Sequence, residues 1–114
     1  MILATELRIG NLVSNTLGET TVVNTEILVY LLNDENNEFE PVVLTEELLL
    51  SAGYLPCPFR DNHFTIEGHT VWLCNELFMC DKNGIIIRYV HQLQNLYFAL
   101  TGSELTFKTP SNNG

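Results

Sequence analysis

Basic residues are what this chain has least of. Five Lys and Arg stand against fourteen Asp and Glu in 114 residues, a net charge of −9 at pH 7. Arg8, Arg60, Lys82, Arg88 and Lys108 are scattered singly. Neutralising several phosphates requires clustered cations, so neither direct nucleic-acid binding nor adhesion to an anionic membrane is expected. Long apolar runs are also missing. The longest, ILVYLL at residues 27–32, falls far short of the ~20 residues that a membrane helix needs. The opening MILATELRIGN lacks the basic stretch and apolar stretch of a secretory signal. Cysteine is sparse too: Cys57, Cys74 and Cys80 are odd in number and form no CxxC pair. Together these absences predict a cytoplasmic protein with free thiols.

The motifs of chemistry are equally thin. Zinc sites bring ligands in tight pairs, whereas His63 and His69, like Cys74 and Cys80, are separated by five residues. Cys57 with His63 or His91 would be a conceivable nucleophile pair, but no basic cluster or strong helix N-terminus accompanies the thiol. Glu46 and Glu47 are adjacent on a helix and do not face a common point. There is no phosphate-binding glycine fingerprint and no G-x-S-x-G elbow. A non-enzymatic protein without metal or cofactor is the expectation.

What the sequence does hold is a core. Apolar residues make up 46% and charged residues 17%, which places the chain among folded globular domains. The length predicts one domain over residues 1–107, with a frayed tail at 108–114. ELRIGN (6–11) reads as a turn with Gly10 at positive φ, followed by strands at 12–14 and 20–24 around the loop NTLGE. Residues 27–32 read as a third strand or as an extension of the second past a bulge, although so short an apolar run is also compatible with helix. An acidic loop at 33–40 precedes a short helix capped by Thr45, with Glu46 and Glu47 in its first turn and a Leu44–Leu49 staple. LPCPFRDN (55–62) reads as irregular. Strands at 63–67, 70–75 and 77–80 then form a meander, and 85–89 is the last strand.

The closing helix, within YVHQLQNLYFALTG, ends at Gly102. At 100° per residue Leu93, Leu96, Tyr97 and Leu100 share a core-facing side. His91, Gln94, Asn95 and Phe98 fall on the other, with Thr101 nearby. Phe98 either packs beneath the N-terminal turn or another loop, or anchors a contact face ringed by amides. Trp72 poses the same choice. Either both faces of its strand are covered, or it marks an interaction surface. The predicted architecture is α+β: an N-terminal β-hairpin unit, a short helix, an antiparallel β-meander and a C-terminal helix packed on the sheet.

The segments TELRIGN, EPVVLTEELLLSAGY and YVHQLQNLYFALTGSEL together resemble an uncharacterised family of small proteins from phage, prophage and mobile elements of gut bacteria. The resemblance implies an accessory protein acting inside a bacterial cell and transfers no catalytic residue. The expected role is protein–protein contact through His91, Gln94, Asn95, Phe98 and Trp72, with an unidentified protein or a second copy of the chain as partner; the acidity either attracts a basic partner or simply keeps the chain soluble. The alternatives are an acidic mimic of nucleic acid, which inhibits a host DNA- or RNA-binding protein, and a small enzyme of unrecognised type. Acids clustered on one face would favour the mimic. A deep pocket holding Cys57 or a histidine would favour the enzyme.

Overall fold

The computed structural model describes residues 2, 4–15, 17–34, 37–67, 69–75, 78–81 and 83–107. The tail expected to fray, 108–114, lies outside them. The fold is α+β, with two antiparallel sheets and three α-helices among the described residues. Two compact units divide the chain: residues 1–43 with 89–104, and residues 44–88 with the segment from 105 onward.

In the first unit a 3-10 turn, Ala4–Glu6, leads into strand β1 (Leu12–Ser14), which pairs antiparallel with β2 (Thr20–Val22). Gly10 has φ +103°, and its N–H reaches the Val23 carbonyl at 2.8 Å, a backbone route open chiefly to glycine. Asn15 Oδ1 closes the hairpin loop by accepting from the N–H groups of Leu17 (2.9 Å) and Glu19 (3.0 Å). A two-residue strand β3 (Glu40–Pro41) pairs with β1 to complete the order β2-β1-β3. Proline is tolerated there because an edge strand can do without one N–H.

Residues 27–32, expected as a strand, are instead the body of helix α1 (Thr25–Asn33). Asn24 is its N-cap, accepting from the Ile27 N–H at 2.8 Å, and Glu26 lies in the first turn. A strand would have left Asn24 without that role. Leu31 is buried in the helix and joins Ile2, Leu7, Val13 and Val23 in the unit's core, with Ala4, Ile27, Leu28 and Phe39 packed against it.

Helix α2 (Glu46–Ser51) opens the second unit as expected, Thr45 Oγ1 accepting from the Leu48 N–H at 3.2 Å. Thr45→Ala should cost about 1 kcal/mol. An unchanged denaturation midpoint would remove Thr45 from the cap. Beyond α2 runs a five-stranded meander in sequence order: β4 (Leu55–Pro56), β5 (His63–Ile66), β6 (His69–Asn75), β7 (Phe78–Asp81) and β8 (Ile86–Ile87). β4 falls where an irregular segment was expected, its Leu55 and Pro56 pairing with Thr65 and Phe64. The last strand is also shorter than expected: Tyr89 leaves the sheet to bridge Val43 in the first unit.

The cysteines correct a second expectation. Cys74 and Cys80 form a disulfide, and Cys57 alone is free. Cys80 stands opposite Trp72, so Cys74 is its diagonal neighbour across the β6–β7 hairpin, ordinarily about 7–8 Å away. A register shift between Leu73 and Asn75 accompanies a Cα–Cα separation of 5.9 Å, inside the span of a disulfide. Counting cysteines could not reveal that shift. Alkylating unreduced, denatured protein should therefore modify one cysteine, and all three only after reduction. Three adducts without reduction would rule the bond out.

Helix α3 (Val90–Thr101) returns to the first unit. The Gln92 side chain accepts from the Tyr89 N–H at 3.0 Å at its start, and Gly102 closes it at φ +76°, its N–H reaching the Phe98 carbonyl at 2.8 Å.

Candidate interaction surfaces

The buried side of α3 is formed by Val90, His91, Leu93, Gln94 and Tyr97. Leu100, expected to face the core, is 52% exposed, and Leu96 is half-buried. The stripe is rotated towards the amides because the turn at residues 6–11 lies against them. An irregular segment has backbone groups that no ladder satisfies, and α3 supplies partners for them. Gln94 Oε1 accepts from the Leu12 N–H (2.9 Å), while its amide donates to the Gly10 carbonyl (3.2 Å). Asn95 Oδ1 accepts from Asn11 Nδ2 (2.9 Å) and Arg8 Nε (2.8 Å), and its own Nδ2 donates to the Glu6 carbonyl (3.1 Å).

His91 completes this seam. Its side chain is buried, with Nε2 at 3.3 Å from Glu6 Oε1 and the ring stacked on Tyr89. Burial lowers its pKa below the ordinary 6.5, outweighing the opposing hydrogen bond and charge of Glu6. Nδ1 is buried and has no hydrogen-bond partner among the described residues, so a second ring proton would be poorly accommodated. In the window below 6.5 the unfolded chain holds more protons than the folded one. The stabilisation from neutral His91 is therefore complete above about 6.5 and is lost as pH falls towards the folded value. His91→Gln should flatten the decline of unfolding free energy on acidification from about pH 7.5 to 5. An identical slope in both proteins would exclude His91 from that titration.

Phe98 is 40% exposed, with the Arg8 guanidinium 4.3 Å from its ring centroid. Arg8 also pairs with Glu104 at 2.7 Å and donates to the Gln94 carbonyl at 3.3 Å. The aromatic that stood out among amides is thus covered on one face by a cation from the N-terminal turn.

Trp72 belongs to the second unit. Across the sheet it stands between His63 and Cys80, and Cys80 in turn faces Ile86. The His63 ring stacks on Trp72 at 5.3 Å between centroids and 18° between planes. Trp72 is half-buried and Ile86 half-exposed, whereas Val71 on the opposite face is wholly buried.

Inside that unit lies a polar trio unmarked by any sequence motif. The Tyr54 hydroxyl is 2.8 Å from His69 Nδ1, and His69 Nε2 is 3.9 Å from Asp81 Oδ2. Asp81 Oδ1 accepts from the N–H groups of Asn83 (2.9 Å) and Ile85 (3.0 Å), closing the turn into β8. The three residues are at most 7% exposed, so a substrate has no approach to them in this conformation. His63 turns Nδ1 to the Asp61 carbonyl at 2.8 Å. Among the described residues no group of three His, Cys, Asp or Glu side chains could hold a metal ion, and no helix is long and apolar enough to cross a membrane.

A groove of about 370 Å³ in the first unit, lined by Glu26, Ile27, Tyr30 and Phe39, went unread in the sequence. Three of its residues lie on α1, so reading that stretch as a strand dispersed them. The signal was the Asn-Thr-Glu cap at 24–26 and the four-residue spacing of Glu26, Tyr30 and Asp34.

No protein-family model, curated protein or solved structure matches this chain.

Proposed function

We propose that this is a non-enzymatic accessory protein that works by binding a basic protein through its first unit. The supporting observation is the uneven charge. Residues 1–43 and 89–104 hold eight Asp and Glu against a single Arg, a net −7, and the rest of the chain carries only −2. The one base, Arg8, is already engaged by Glu104, Asn95 and the Phe98 ring. A surface so short of cations attracts a positively charged partner and repels acidic ones. The mobile-element context implied by the sequence resemblance makes a host protein the natural source of that partner.

Affinity capture from a bacterial lysate at low salt, followed by mass spectrometry and binding of the purified candidate, tests this. A basic partner whose affinity falls as salt rises is expected. A salt-insensitive, acidic partner would overturn the reading. Release of nucleic acid from the partner on binding would assign the mimic role.

A further inference from the structure

The α1 groove joins three features that suit one kind of guest. Glu26 and Tyr30 are four residues apart on one ridge of the helix, and Asp34, four residues further on, is its C-cap. The Tyr30 hydroxyl donates to Asp34 Oδ2 at 2.9 Å, which holds the ring in place. Phe39 then meets that ring at 5.9 Å and 57°, giving a tilted aromatic pair beside the groove. Tyr30 is 46% exposed, and Glu26 has no ion-pair partner among the described residues. The hydrogen bond to Asp34, with partial burial and the Asp34 and Glu38 carboxylates, raises the Tyr30 pKa above 10.0. The surroundings of the ring are therefore negative. Among the described residues of the unit the sole Lys or Arg is Arg8, and it is held against α3 rather than beside the groove.

We infer that this groove is the subsite for a lysine or arginine side chain of the basic partner, seated against Tyr30 and Phe39 with Glu26 as its counter-ion. The inference rests on the proposed function and specifies its point of contact. A negative aromatic face attracts a cation, and the side chain's methylene stem lies along the apolar wall of Ile27. Charge complementarity selects this occupant over an apolar helix or a second copy of the acidic chain.

The test is a titration of the intact, isotope-labelled protein with a lysine–glycine decapeptide and a glutamate–glycine control. Backbone NMR shifts should move at Glu26, Ile27, Tyr30 and Phe39 with the lysine peptide only. Tyr30→Leu should weaken binding roughly two- to fivefold, the worth of one exposed cation–π contact. Glu26→Gln should weaken it and reduce its salt dependence. Tyr30→Phe, which keeps the ring but loses the hydroxyl's bond to Asp34, should weaken binding less than Tyr30→Leu. Their unchanged spectra outside the groove would confirm that the variants fold. Undiminished affinity in Tyr30→Leu and Glu26→Gln, with shifts spread over other acids, would overturn the groove yet leave the basic-partner reading standing. No binding of the lysine peptide even at low salt would overturn both.

Discussion

Gln94→Met should lower the unfolding free energy by about 2–4 kcal/mol even though it nearly conserves side-chain volume. The amide bonds both the Leu12 N–H and the Gly10 carbonyl from a buried position on α3. Methionine can serve neither. Each buried polar group left without a partner costs roughly 1–3 kcal/mol, and two are affected here. Urea denaturation would measure the loss. A change below about 0.5 kcal/mol, the range of an ordinary surface substitution, would show that water or a shifted turn replaces the amide. The same variant should speed hydrogen exchange at the Leu12 amide, localising the damage to the seam.

Leu93→Ala and Leu100→Ala should differ by more than any other pair of leucine truncations on α3. Leu93 has no exposed surface, whereas Leu100 is 52% exposed. Truncating the first should cost about 2–5 kcal/mol through lost burial and a residual cavity. Truncating the second should stay within about 0.5 kcal/mol. Thermal or urea melts of the two variants suffice as a readout. Equal losses would mean that the helix is rotated from the orientation described, back towards the stripe through Leu96 and Leu100 that hydropathy alone suggests.

The existence and end of α3 were legible, because apolar periodicity and Gly102 are local signals. Its orientation was not. Periodicity ranks residues by hydropathy, but Gln94 is inside because backbone groups more than eighty residues earlier need hydrogen-bond partners, and His91 because its ring meets the Glu6 carboxylate and stacks on Tyr89. The same limit hid the α1 groove. An apolar run of six residues carries no period long enough to separate strand from helix, and the Asn24 cap was absorbed into the preceding strand. For the cysteines the missing fact was a register shift in one hairpin, which depends on pairing rather than composition.

By itself the sequence determined the α+β class, the first hairpin, the capped helix α2, the central strands of the meander and a strongly acidic charge. Each of these follows from residues close together in the chain or from composition. Tertiary structure alone decided which face of α3 is buried, which cysteines are bonded, the Tyr54–His69–Asp81 trio and the aromatic groove beside Glu26. These depend on side-chain geometry or on pairing between segments, which a one-dimensional pattern does not encode.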